Sequence, residues 1–387
     1  MGIKQLMSLI QERAPKSVKS IQMDMLTGKT VAVDASMAIY QFLIATQTFS
    51  QGRPGIGELK DEDGNLTGHL VGLFHRTIQF FENGVKPIWV FDGKPPEMKS
   101  GELEKRKELK EKAEEERKEA EQSGDWEKAK QMAGRSIRVT PEMMEDAKRL
   151  VRLMGAGCIE APTEAEAQCA ELVKLDLAFA TATEDMDALT FGTKFLLRGF
   201  NSKKEPICQI NLKEVLEGFE MTHEEFVDLC ILCGCDYTST IGGMGPVTAY
   251  KLMKEHGSIE KVLEKVKESN EDETKKKKYA IPDKFLYKES RNLFINPDVL
   301  SDKAELEKKI EFGKPNEEEM KSWLIDHKGF AEVKVINGLE RLKKSQGKKN
   351  QSRLDNFFKA GGMLSSTKKV QAPKGKGGKK VLRKSAP

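Results

Sequence analysis

Two short apolar runs, Thr30-Val-Ala-Val-Asp34 and Pro87-Ile-Trp-Val-Phe-Asp92, constrain the fold of this chain more than any other feature. Each is rich in β-formers and almost unbroken in its apolar character, as a strand covered on both faces must be, and each ends in an aspartate. A third run, Ala178-Phe-Ala-Thr-Ala-Thr183, leads into Glu184-Asp185-Met186-Asp187. Helical spacing of apolar residues fills the intervals, over Met37 to Ile44, Leu70 to Phe81 and Ala165 to Leu175. This alternation predicts an α/β fold with a mostly parallel central sheet flanked by helices. In such sheets ligands sit beyond the carboxyl ends of the strands, where Asp34, Asp92, Asp185 and Asp187 are all placed.

The charge of the chain is divided. Its 387 residues carry a net +4, yet from Arg341 onward 15 Lys and Arg face a single acid, Asp355. The preceding 340 residues hold 50 bases against 60 acids, so an acidic body precedes a basic tail. A basic, Gly-rich tail is expected to be disordered and drawn to polyanions, while the acidic body argues against simple coating of nucleic acid. No apolar stretch approaches the ~20 residues of a membrane span. The start, Met1-Gly2-Ile3-Lys4-Gln5-Leu6, lacks an apolar leader core, so an intracellular chain with free thiols is expected. Cys230, Cys233 and Cys235 find no second ligand pair at zinc spacing, and core packing is the better reading of them.

Between Glu97 and Arg135 the chain is almost wholly charged, which predicts a solvent-exposed helical excursion. Further on, an amphipathic helix from Thr222 to Cys233 precedes Gly234-Cys235-Asp236-Tyr237. Then come Ile241-Gly242-Gly243-Met244-Gly245-Pro246 and another helical run from Val247 to His256. Two helices joined by a glycine hairpin expose backbone N–H groups at a helix start, a common way to hold phosphate without sequence preference.

Glu164 and Glu166 follow Ala161-Pro162-Thr163 at a predicted helix start. Taken alone, this pair is better explained by a capping box, with Thr163 as N-cap and Glu166 as its partner. The assembly changes the odds, because Asp34, Asp92, Glu164, Glu166, Asp185, Asp187 and Asp236 can all point into one crevice. So many like charges cannot gather without cations. Carboxylate oxygens suit Mg²⁺ or Mn²⁺, and two such ions about 4 Å apart activate water and stabilise the leaving oxygen of a phosphodiester. A haloacid-type phosphatase is set aside, because Leu189 stands where its Asp-x-Asp motif requires Thr or Val.

These residues resemble the flap endonuclease family of structure-specific 5′ nucleases, in its eukaryotic form. The likeness runs from Met1 to about Phe358. It is carried by Val33-Asp34-Ala35-Ser36-Met37, Val90-Phe91-Asp92-Gly93-Lys94-Pro95-Pro96, Ala161-Pro162-Thr163-Glu164-Ala165-Glu166-Ala167, Ala182-Thr183-Glu184-Asp185-Met186-Asp187 and Gly234-Cys235-Asp236-Tyr237. The resemblance implies two Mg²⁺ held by the matching acids, Asp34, Asp92, Glu164, Glu166, Asp185, Asp187 and Asp236. It implies that the charged excursion is a helical arch over the active site, with Lys99 and Arg106 acting on the scissile phosphate. It also implies DNA contacts from Tyr40, Arg76, Glu164, Gly234, Asp236, Gly243 and Gly245, the glycines belonging to a helix-two-turn-helix element that grips duplex with a K⁺ ion. Members of the family often carry Arg at the place of Gln47 and basic residues at those of Val247 and Thr248, so phosphate contacts there differ.

The expected organisation is a nuclease core over 1–340: an N-terminal segment 1–110, an arch 97–135, an internal segment 136–260 and a helical part 261–340. A basic tail, 341–387, follows. Within it Gln351, Leu354, Phe357 and Phe358 resemble the clamp-binding box of replication proteins, which implies a trimeric sliding clamp as partner through 351–358. The resemblance implies a monomeric 5′ flap endonuclease and 5′→3′ exonuclease acting on branched or nicked DNA in Okazaki-fragment maturation and long-patch base excision repair. Nuclear residence, with a mitochondrial fraction, is the matching expectation. Two alternatives remain at this point: a family relative acting mainly on 5′ ends or bubbles, and a clamp-tethered, non-catalytic DNA scaffold.

Overall fold

The computed structural model describes residues 2–48, 59–61, 63–200, 206–271 and 278–347. The expected clamp box and the longer part of the Ser50–Thr67 loop lie outside the described residues, as does the Gln47 side chain. Seven strands form one sheet: β1 (Val18–Ile21), β2 (Thr30–Asp34), β3 (Lys86–Phe91), β4 (Gly157–Glu160), β5 (Ala180–Ala182), β6 (Phe195–Arg198) and β7 (Ile207–Asn211). Their order is β1-β7-β6-β5-β2-β3-β4. Neighbours from β6 to β4 run parallel, and only the pairs made by β7 are antiparallel.

Alternation along β2 and β3 divides their side chains between two layers. Val31, Val33, Trp89 and Phe91 pack with Leu73, Ile78, Leu150 and Val151 from the helices Gly68–Glu82 and Pro141–Leu153. Ala32, Ile88 and Val90 face the opposite way, onto Ala165, Cys169 and Leu172 of the helix Ala165–Lys174. Burial on both faces is what the unbroken apolar runs predict, and it leaves Asp34 and Asp92 at adjacent strand ends. A third cluster joins the helix His223–Cys233 to Pro246–His256 and Tyr287–Ile295, around Phe226, Met253 and Phe294. Cys230, Cys233 and Cys235 are buried in it, and burial pushes the thiols of Cys233 and Cys235 up to about 12.

The charged excursion is a pair of helices, Ser100–Ser123 and Trp126–Ser136. It is not exposed all round: Ala113, Ala120, Ala129, Met132 and Ala133 are buried. Alanines let the two helices approach closely, and the Asp125 side chain accepts from Lys128 N to cap the second. Among the described residues no helix is long and apolar enough to cross a membrane.

Candidate active site

Each acid is placed by a neighbouring element. Asp34, at the end of β2, is 2% exposed; it accepts Met37 N at 2.9 Å and the Thr183 hydroxyl at 2.8 Å. The same hydroxyl accepts Asp185 N at 3.1 Å, and Asp185 in turn accepts Asp187 N at 3.0 Å. Asp92 accepts Ala165 N at 2.8 Å, so an aspartate from the end of β3 satisfies the first N–H of the helix Ala165–Lys174. This corrects the capping-box reading: Glu164 is the N-cap residue and makes no side-chain cap bond, while the Thr163 hydroxyl donates to Asp298 O. With its cap supplied by Asp92, this helix start leaves Glu164 and Glu166 for the crevice.

Asp34, Asp92, Glu164, Glu166 and Asp185 line one cavity of about 310 Å³, together with Lys99, Arg106 and Tyr40. Asp236 adjoins it, accepting Arg106 Nη2 at 2.5 Å and lying 3.9 Å from Lys99 Nζ. Lys99 Nζ also donates to Glu164 Oε1. Burial, then the charge of Asp92, pushes Asp34 up to about 7. Glu166 is raised well above the carboxylate range by burial and by Asp34, Asp92 and Asp185, and Asp187 by burial and by Asp185 and Asp236. For Lys99, burial opposes the charge but Glu164, Glu166 and Asp236 outweigh it, and its pKa rises. Arg106 is raised by the same balance, with Asp236 the main partner.

Among the described residues no group of three or more His, Cys, Asp or Glu forms a ready-made metal cage. The donor set nevertheless fits a hard cation. It is all oxygen, the buried Asp187 Oδ1 has no hydrogen-bond partner, and the raised acids mark negative charge that Lys99 and Arg106 do not fully balance.

The remaining expected contacts are spread more widely. Tyr40 lines the cavity, with Lys110 Nζ 5.8 Å from its ring centroid. Arg76 is not in the cavity wall; its guanidinium lies 5.5 Å from the Phe42 ring, and burial lowers its pKa to about 10. Gly234 ends the helix His223–Cys233 at φ +110°, where a Cβ would come 2.6 Å from Thr240 Cγ2. Gly243 and Gly245 precede the helix Pro246–His256, whose N-cap, Gly245, offers no side-chain cap.

Sequence reasoning missed two residues here. Thr183 bridges Asp34 and Asp185, and the Tyr237 hydroxyl donates to Glu164 Oε2. Both fall inside the quoted motifs, but nothing in their local spacing announces a bond across 149 or 73 residues.

Residues 1–113 match the XPG N-terminal domain and residues 155–236 the XPG I-region. Flap endonuclease 1-1 of Paramecium tetraurelia is 54% identical over 361 residues, 92% of this chain and 91% of that protein. The chain belongs to the flap endonuclease family. Flap endonuclease 1 of Tetrahymena thermophila is 50% identical, with 93% of this chain and 92% of that protein covered. Among solved structures, flap endonuclease-1 from Methanococcus jannaschii aligns with a TM-score of 0.62 at 31% identity, over 86% of this chain and 97% of that one. The catalytic core of Rad2 in complex with DNA substrate aligns with a TM-score of 0.67 at 25% identity, over 88% and 100%. The two family-matched segments contain every acid of the crevice, and Lys99 and Arg106 with them.

Proposed function

We propose that this member of the flap endonuclease family hydrolyses a DNA phosphodiester at a 5′ flap junction, and acts as a 5′→3′ exonuclease on nicked duplex, with two Mg²⁺ in its crevice. The observation that carries this reading is the gathering of acids, with Asp34, Glu164 and Asp185 buried, around one cavity that Lys99 and Arg106 also line. A mere binder of polyanions gains nothing from concentrating negative charge where the DNA must lie.

Asp34, Asp92, Glu164, Glu166, Asp185, Asp187 and Asp236 would hold the pair of ions, for which Mn²⁺ can substitute. When bound, the ions supply a water of lowered pKa and Lewis-acid stabilisation of the phosphoryl oxygens. The chain does the rest. Lys99 and Arg106, which pair with Glu164 and Asp236, would present their positive charge to an entering phosphate and stabilise the charge that develops on it. Tyr40 offers its ring to the adjacent base, and the arch helices border the route of the single-stranded flap. Backbone N–H groups near Gly243 and Gly245 would grip duplex at the hairpin and could hold a K⁺ ion there, with Arg76 and Gly234 adding contacts.

The tail is proposed to bind a trimeric sliding clamp through Gln351, Leu354, Phe357 and Phe358, placing a monomeric nuclease in Okazaki-fragment maturation and long-patch base excision repair. Nuclear residence, with a mitochondrial share, suits its basic end. Replacing Phe357 and Phe358 by Ala should remove clamp stimulation and spare clamp-independent turnover; unchanged clamp affinity would overturn the partner.

The test of the reading is a double-flap substrate labelled at its 5′ end, incubated with the full chain in Mg²⁺ or EDTA. One short flap product that requires Mg²⁺ is expected. Tight binding without product in either Mg²⁺ or Mn²⁺ would move the chain to the scaffold class.

A further inference from the structure

Glu164 is 4% exposed and both of its carboxylate oxygens are engaged. Lys99 Nζ donates to Oε1 and the Tyr237 hydroxyl donates to Oε2. These two donors differ in kind. Lys99 sits at the foot of the arch, its side chain 15% exposed, in the wall of the acid-lined cavity. Tyr237 is 2% exposed and locked in place: its ring meets Phe294 edge-on at 5.0 Å between centroids. The next residue, Thr238, accepts Leu286 N at 2.8 Å through its hydroxyl. When Lys99 turns to a phosphate, Glu164 loses one donor, and Tyr237 is the donor that stays.

Tyr237 also follows Asp236 directly and closes the segment that leaves the helix His223–Cys233. Its hydroxyl therefore joins the glycine hairpin to an acid at the start of the helix Ala165–Lys174, 73 residues away in sequence. A buried tyrosine hydroxyl needs a partner, and a buried carboxylate needs donors to hold its orientation. We propose that Tyr237 is a positioning residue for the cleavage reaction: its hydroxyl fixes the orientation of Glu164 and makes that orientation depend on the seating of the hairpin. The inference rests on the proposed metal-dependent nuclease reading and adds a residue to it. Tyr237 is 2% exposed and would act through Glu164.

The variant Tyr237→Phe removes one oxygen and leaves the ring against Phe294. Groups that orient a metal-binding carboxylate typically contribute about 10–100-fold to affinity or activity. The first readout is Mn²⁺ binding to the DNA-free full chain, followed by electron paramagnetic resonance. Tyr237→Phe should weaken it about tenfold. Glu164→Ala, which removes the acceptor, reads the same bond from the other side. In the Glu164→Ala background, Tyr237→Phe should change Mn²⁺ binding by less than about twofold, because a shared interaction can be lost only once. The second readout is turnover of a 5′-flap substrate in Mg²⁺: kcat per folded molecule, with the folded fraction taken from an unfolding curve, should fall about tenfold with KM within about twofold.

Mn²⁺ binding equal to wild type, or an effect that adds in full to that of Glu164→Ala, overturns the inference. Wild type run in parallel separates the two claims. If wild type cleaves and Tyr237→Phe cleaves equally well, only the role of Tyr237 falls; if wild type does not cleave, the nuclease reading falls and this inference with it.

Discussion

On the sheet side of the crevice, Asp34, Asp185 and Asp187 are 2%, 7% and 3% exposed; the Asp34 carboxylate accepts Met37 N and the Thr183 hydroxyl, and that of Asp185 accepts Asp187 N. On the arch side, the Arg106 side chain is 36% exposed and stands on a long helix whose buried residues are two alanines, Ala113 and Ala120. One wall is fixed by a sheet core and carries negative charge that burial makes costly. The other carries positive charge on long side chains that can exchange one anionic partner for another. A crevice that must hold cations and also receive a polyanion needs both: rigid acids to define a site, and adjustable bases to meet the phosphate.

The comparison breaks if the two walls respond alike. Asp185→Ala should have the largest effect, a loss of cleavage on the order of a thousandfold or more, with flap-DNA binding changed only a few-fold. Loss of binding in proportion to activity would count against a metal-site role. Lys99→Ala and Arg106→Ala should each lower single-turnover cleavage by about 10²–10³ while leaving Mn²⁺ binding to the DNA-free chain intact or stronger. Weaker Mn²⁺ binding would place these bases on the wrong wall.

A smaller effect concerns the cost of the fixed wall. Asp34 has a pKa of about 7 in the folded chain against an ordinary 3.8. The folded chain therefore retains a proton that the unfolded chain gives up, so stability is lost as pH rises between these values and stays lost above them. In EDTA, Asp34→Asn should raise Tm by a few °C more at about pH 8 than at about pH 5. A difference that does not vary with pH would show that Asp34 is not held against its own charge. The smallest effect lies at the hairpin, where Val247 is 46% exposed in the first turn of the helix Pro246–His256. Val247→Lys should tighten duplex binding a few-fold and steepen its salt dependence by about one ion, without altering kcat. An unchanged salt slope would put Val247 outside the DNA footprint.

The two walls also differ in how far they could be read from the chain. β2 and β3 are legible because strands covered on both faces are continuous apolar runs, and the terminal acids stand out against them. β1, β6 and β7 are not: Val18-Lys-Ser-Ile21 has no apolar run, and the antiparallel edge it forms with β7 is decided by pairing rather than by local pattern. The arch is legible as charged helix, but its alanine seam is hidden by the neutrality of alanine to any periodicity. Glu164 and Glu166 invite a local capping explanation, and a strand-end residue 73 positions earlier, Asp92, supplies the N–H partner instead. Tyr237 reaches Glu164 across the same span. Contacts of that kind are products of the fold and leave no mark in spacing.

The central claim is that the acids serve a bound cation in chemistry and not the capture of DNA. It is tested most directly by saturating the full chain with 5′-flap DNA in EDTA and then adding excess Mg²⁺ while following a single turnover. The account predicts no product before Mg²⁺, one flap product after it, and an Asp185→Ala complex that stays bound and silent throughout. Product formed in EDTA, or cleavage by Asp185→Ala at the wild-type rate, would contradict it.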